Sequence, residues 1–258
     1  MTPRSDSYGA RSEAKPVRLS DILESTRSGY WTTICVCADF LTMINSFVEK
    51  ESKKFQRWLL TKGGEEKVGE LLQRDMTLSE GKDQLNEMGL VYLVALEEGF
   101  IKDCLFALLV TRRELLRSDE SITFRELASF ESLGSMIASI AQRKVDELTG
   151  IEKVADFFEK RLGLSLEKDF DSWPLLAEAY YRRNVIVHNR GRSNETYCKK
   201  TGFKQRGKDL CTDIRYIQRV VKVTVDFIEF VHSSLSARFG ASKLTLGAEW
   251  SSKILLDQ

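Results

Sequence analysis

The chain has 258 residues, 42% of them hydrophobic and 30% charged, with 39 Lys and Arg against 38 Asp and Glu. Those proportions describe a soluble globular protein, long enough to bury a substantial core in one large domain or two small ones. They leave no room for several function classes. No apolar run approaches the ~18 residues a membrane span needs, and the polar, mixed-charge start from Met1 to Lys15 is not a signal peptide. A cytoplasmic location without membrane contact follows as the expectation. Glycine-rich phosphate loops, dinucleotide fingerprints and paired His-Glu zinc helices are all missing, so no cofactor and no metal is expected.

Proline is scarce: Pro3, Pro16 and Pro174 are the whole set, and so few breakers favour long helices. Residues 1–18 read as a flexible tail. Ser20-Asp-Ile-Leu-Glu24 begins a short helix. A long helical pattern follows from Trp31 to Lys62, with Ile34, Leu41, Ile44, Phe47, Val48, Phe55, Trp58 and Leu59 three and four residues apart. Gly63-Gly64 ends it, and Glu65–Asp75 reads as another amphipathic turn or two. Thr77-Leu-Ser79-Glu80 is a helix start signal. The helix it opens continues to about Arg117 and is nearly apolar from Leu90 to Val110, apart from Glu97, Glu98, Lys102 and Asp103. Such a helix belongs at the centre of a bundle.

Ser121-Ile-Thr-Phe-Arg125 breaks the pattern. Short helices are expected over Phe124–Phe130 and Leu133–Thr149, then an amphipathic one from Ile151 to Leu162, stopped by Gly163. Ser172-Trp-Pro174 opens another, since proline is tolerated in the first turn, and Gly191 closes it. A polar loop spans Arg192–Lys208, and a last helix runs from Thr212 to Phe239. Strand signals are almost absent, so the fold class is all-α. The expected organisation is a tail (1–18), N-terminal helices (19–75), a helical domain (76–240) and a C-terminal tail (241–258). Five cysteines give no disulfide framework, and their spacing does not suit a zinc site. Structural thiols are the simpler reading.

The stretch Arg183-Asn184-Val185-Ile186-Val187-His188 carries most of the chemical information. Apart from His188 the chain has one histidine, His232, in an ordinary amphipathic segment. At ~100° per residue, Asn184 and His188 share one helix face, while Arg183 lies roughly 140° around from His188. A long side chain can narrow that gap, or a second copy of the motif can complete the site. These residue types suit phosphodiester chemistry. An imidazole can take a proton from a ribose 2′-hydroxyl, a guanidinium can hold a phosphate through two parallel hydrogen bonds, and an amide one turn away can orient the ring. The competing reading is a surface helix ending in basic residues, which the macrodipole favours.

Charge is distributed unevenly. From Arg182 to Lys222 there are twelve Lys or Arg and three Asp or Glu, a local charge of +9; the rest holds 27 basic and 35 acidic residues, or −8. Arg182, Arg190, Arg192, Lys199, Lys200, Lys204 and Arg206 are the candidate RNA contacts within it, because such a patch draws in polyanions. Tyr197 and Phe203 could stack on bases or pin the loop to the bundle. A solvated loop without a ligand is the alternative for the whole segment. Glu97 and Glu98 are costly in an apolar helix unless paired. One of them is expected to meet Arg183 or orient His188, the alternative being a solvent-facing stripe.

The segment Ala179–Gly191, followed by Ser193-Asn-Glu-Thr-Tyr197, resembles the signature of HEPN domains, an Arg, four to six residues, then His, often with Asn after the Arg. Arg183, Asn184 and His188 match it, with Asn189 following. Leu90–Phe106 looks like that family's long apolar helix with an acidic residue at mid-length, and Ile122–Leu127 like its connector. The resemblance covers roughly residues 77–240. It implies an antiparallel helical bundle and a metal-independent endoribonuclease, with two motif helices meeting across a homodimer. Arg183, Asn184 and His188 would be catalytic, with Glu97, Glu98 and Asn189 auxiliary. It also implies a toxin or phage-defence effector, with a neutralising or regulatory protein as possible partner. Many members are instead non-catalytic RNA- or protein-binding modules or regulatory subunits.

Overall fold

The computed structural model describes residues 17–62, 65–117 and 121–242. Two long helices dominate: α1 (Leu19–Lys62) and α2 (Glu65–Thr111). A short 3₁₀ turn (Arg113–Leu116) leads to α3 (Phe124–Leu127), α4 (Leu133–Asp146) and α5 (Ile151–Phe157). The last continues as a π turn over Phe158–Leu162. Then come α6 (Leu166–Asp169), α7 (Trp173–Asn189), α8 (Glu195–Thr201) and α9 (Ile214–Phe239). Among the described residues there is no strand; Arg192 and Asp209 form an isolated bridge. The class is all-α.

The scarcity of breakers has a stronger effect than the local signals imply. Ser20–Glu24 and the helix at Trp31 join into one element, because Arg27 and Tyr30 hold the intervening turns onto the bundle. Arg27 donates to Glu229 of α9 at 2.6 Å, and the Tyr30 hydroxyl donates to Asp103 of α2 at 2.8 Å. The start signal at Thr77 is overridden in the same way. Its hydroxyl bonds back to the Gln73 carbonyl at 2.8 Å inside an unbroken α2, the alternative a mid-helix threonine has to capping. The glycine pair at 63–64 and the tail from residue 243 lie outside the described residues; before that point the carbonyls of Ser242 and Gly240 accept from the first amides of α1, Leu19 (2.9 Å) and Ser20 (3.4 Å).

Packing of α1 on α2 places the first half of the chain on the same core as the rest. Leu19, Leu23, Ile34 and Leu41 bury with Leu90, Leu93, Phe100 and Leu108 of α2, and with Val220, Phe227, Val231 and Leu235 of α9. The α1–α2 approach is close: a Cβ on Gly89 would fall 2.5 Å from a Leu41 methyl. Within this seam Asn45 and Asn86 are both buried. Asn45 donates to Asn86 at 2.8 Å and to the Leu41 carbonyl at 2.8 Å, and Asn86 donates back at 3.4 Å. A buried amide pair fixes register, because sliding either helix leaves polar groups unmet. Asn86→Leu is therefore expected to cost about 1–3 kcal/mol in urea denaturation, and Asn45→Leu in the same chain to recover part of it.

One expectation needs correction. Between Trp31 and Val48 only Asp39 is charged, and α1 is long and apolar enough over this region to cross a bilayer by length and composition. Alternation with Thr32, Thr33, Thr42, Asn45 and Ser46 hides this when only unbroken apolar runs are counted. Much of the stretch is uncovered: Val36, Phe40, Met43 and Phe47 are exposed.

Candidate functional site

Helix α7 presents the motif. Its start is set by Pro174 in the first turn and its end by Arg190, which takes the left-handed conformation at φ 53°. Gly191 follows at φ 72°, and its amide bonds back six residues to the Val185 carbonyl at 3.2 Å, a Schellman-type stop. Space is also tight here: a Cβ would sit 3.0 Å from a carboxylate oxygen of Glu87 on α2, which would have to shift by a few tenths of an ångström. Asn189 donates to the Arg192 carbonyl and its own carbonyl accepts from the Arg192 amide, so this auxiliary candidate braces the turn that follows the helix.

Around α7 the motif residues divide. Arg183 is half-buried and points to α2, where it donates to Glu98. Its guanidinium carbon lies 5.9 Å from the centre of the Tyr180 ring, and its Nε is buried without an acceptor. Asn184, Val187 and His188 are exposed. Neither Asn184 nor His188 makes a side-chain hydrogen bond among the described residues, so the expected amide–imidazole contact is not formed. A single protomer thus holds a fixed arginine on one side of the helix and an open imidazole on another, as the ~140° separation requires. Met88 and Tyr92 of α2, both exposed, lie between the turns where Glu87 and Glu98 meet α7. Val187, next to His188 in the chain, is a third exposed apolar side chain.

The two adjacent glutamates have separate environments. Glu98 is the partner of Arg183. Glu97, one residue and ~100° away, is 1% exposed and faces α9, accepting from the Thr224 hydroxyl at 3.1 Å. Its other oxygen and the neighbouring Tyr180 hydroxyl are both buried without a hydrogen-bond partner. Burial pushes the Glu97 carboxyl up to about 8, with Tyr180 and Thr224 working in the opposite sense. Burial and the two carboxylates likewise push the Tyr180 phenol well above its usual range. Glu97 belongs to the core; of the pair, Glu98 reaches the motif.

The basic segment is more ordered than a polar loop. Asn194 caps α8 by accepting from the Tyr197 amide at 2.8 Å, an element the sequence reading missed although Asn194 is its capping signal. Ser193 is buried and ties the segment together: its amide donates to the Lys208 carbonyl at 2.9 Å, and its hydroxyl accepts from the Lys208 amide at 3.0 Å. Tyr197 and Phe203 meet edge to face at 5.9 Å and pack with Val185 and Leu210. They pin the loop.

Arg182, a candidate RNA contact, is committed inside the fold. It donates to Glu178 and to the Cys211 carbonyl, and lies 4.1 Å over the Tyr216 ring. Glu178 also accepts from the hydroxyls of Tyr197 (2.5 Å) and Tyr216 (2.6 Å). The i,i+4 spacing of Glu178 and Arg182 is a sequence signal for their pair, but nothing in the spacing of Tyr197 and Tyr216 points to them as its partners. Lys200 pairs with Glu152, Arg192 with Asp209 and Arg206 with Glu195, all at exposed positions where such pairs are weak. Arg190, Lys199 and Lys204 are exposed with no carboxylate partner among the described residues, and Lys208 joins them. His232 is half-buried, with Nε2 3.3 Å from Glu24. The five cysteines are free thiols, and no metal-holding group of His, Cys, Asp or Glu occurs among the described residues.

Comparison of the chain with protein-family profiles, with curated proteins and with solved structures finds no match.

Proposed function

We propose that the protein is a metal-independent endoribonuclease of HEPN type, acting in the cytoplasm as a toxin or defence effector. The observation that carries this reading is the end of α7: an uncovered His188 five residues beyond an Arg183 held in place by Glu98, within the segment of +9 charge. His188 would take the proton of a ribose 2′-hydroxyl, which attacks the adjacent phosphorus. Arg183 would offset the charge that develops on the phosphoryl oxygens, and the leaving 5′-oxygen would take its proton from water, while the protonated His188 returns its own to solvent. The products are a 2′,3′-cyclic phosphate and a 5′-hydroxyl. Asn184 would orient the imidazole once RNA or a second copy closes over it. A homodimer through α7 brings two such helix ends together, and the exposed Met88, Tyr92 and Val187 suit that contact.

A second reading rests on the Arg183–Glu98 pair itself. Its carboxylate already neutralises the guanidinium, and His188 lacks an orienting partner within the protomer, an arrangement that suits a non-catalytic RNA- or protein-binding module or a regulatory subunit. One experiment separates the two. Purified protein is incubated with end-labelled RNAs in EDTA, and cleavage ends and RNA retention are scored for the parent and for a Lys199→Glu/Lys204→Glu variant. New cyclic-phosphate ends, reduced in the variant along with retention, are expected. Retention without new ends supports the binding module, and RNA left intact across varied substrates removes the nuclease.

A further inference from the structure

The outer side of α1 carries a row of uncovered apolar side chains that neither the core nor the motif uses: Val36 (64% exposed), Phe40 (50%), Met43 (59%) and Phe47 (55%). Their spacing of four, three and four residues is a heptad seam, with Phe40 and Phe47 at a positions and Val36 and Met43 at d positions. The face of α1 that packs on α2, defined by Ile34, Leu41 and Asn45, lies on the opposite side of the helix. The row is therefore free of the protomer's own bundle. We infer that this seam docks a second copy of the same chain, α1 against α1 in antiparallel orientation.

The self-matching pattern points to that occupant. A two-fold axis passing α1 between Leu41 and Thr42 sets Val36 opposite Phe47 of the other copy and Phe40 opposite Met43. Antiparallel coiled helices need just this, a positions facing d positions, and an isologous contact must present one patch to itself. Both layers pair a larger ring with a smaller or flexible side chain, Phe with Val and Phe with Met, which fills space without overpacking.

Charge and area agree with this choice. Asp39 is the sole charged residue between Trp31 and Val48, so a membrane surface would find no basic fringe there of the kind that interfacial helices carry. In the antiparallel arrangement Asp39 falls near Ser46 of the other copy, so no like charges oppose. The four side chains and their flanks expose roughly 500 Å² per copy, or about 1,000 Å² over two, the lower edge of a specific interface. This surface is separate from the α7 end, so it does not depend on the nuclease reading.

The test isolates the α1 face by first disabling the other candidate contact. In a Val187→Glu background, sedimentation velocity at tens of micromolar is expected to find a two-chain mass. Adding Phe40→Lys, or separately Met43→Glu, is expected to reduce it to the single-chain 29.5 kDa, with helical content unchanged by circular dichroism. Mixing those two charged chains is expected to restore the two-chain species, because the cation introduced at position 40 of one chain then meets the carboxylate introduced at position 43 of the other across the axis. A Val187→Glu chain that is monomeric on its own, or a mixture that stays monomeric, overturns the proposal. So does self-association that begins only when residues 243–258 are removed, or flotation of the Val187→Glu chain on neutral lipid vesicles in place of dimerisation. Loss of RNA cleavage with the two-chain species intact bears on the α7 site alone.

Discussion

Replacing Glu97 with glutamine is expected to stabilise the protein by about 2–4 kcal/mol at pH 8 and to change little at pH 4. The unfolded chain ionises this carboxyl near 4.5, whereas burial, outweighing the lowering effect of the Tyr180 and Thr224 hydroxyls, keeps it protonated in the folded chain up to about 8. Between those values unfolding releases a proton. Stability contributed by this group is therefore complete below pH 4.5, falls as pH rises by at most about 1.4 kcal/mol per unit, and levels off above the folded value. Glutamine has nearly the same shape and no proton to lose. Its carbonyl can accept from Thr224, and its NH₂ can donate to the otherwise unmet Tyr180 hydroxyl. Urea denaturation of parent and variant at pH 4, 5, 6, 7 and 8 checks this, since other titrating groups cancel in the difference. A stability difference that stays constant across the series would mean that Glu97 is ionised in the folded chain.

His188→Ala is expected to lower RNA cleavage by about 10²–10⁴-fold, the contribution of a positioned acid–base group, while shifting folding stability by less than about 0.5 kcal/mol. The side chain is exposed and makes no side-chain hydrogen bond within the described residues, so its removal tests chemistry without disturbing packing. Arg183→Ala makes a poorer probe. It strips Glu98 of its partner in a half-buried setting and so mixes a folding effect with any loss of phosphate binding. Single-turnover cleavage in EDTA, with RNA affinity measured in parallel, gives the answer. Cleavage at the parental rate by the alanine variant would remove His188 from the reaction.

Legibility in the sequence tracked how local the determining forces were. The motif helix was readable at both ends because Pro174 and Gly191 act through their own backbone conformations. The joined α1 was not, because Arg27 and Tyr30 reach partners far along the chain, Glu229 and Asp103. Neighbouring glutamates posed a question that composition leaves open. Which of them meets the arginine depends on where α7 and α9 sit around α2, and Glu98 lies on the α7 side while Glu97 faces Thr224. Arg182 and Arg183 form the mirror case: one is absorbed by Glu178, Tyr216 and the Cys211 carbonyl, the other by Glu98. Counting cations overstated the surface patch for this reason. Tyr197 and Phe203 admitted two readings, and the edge-to-face contact over Val185 and Leu210 selects the anchoring one.

The uninterrupted course of α2 has a mechanical consequence. Glu87, which lies beside Gly191 just past the end of α7, and Glu98, which holds Arg183, ride on a rod that begins at Glu65, about 30 Å before the first of them. With no joint at Thr77 to absorb a tilt, a load applied near the rod's outer end is transmitted to both contacts at once. Leverage at that remote point would shift the arginine and the helix stop together, leaving the imidazole between them to follow.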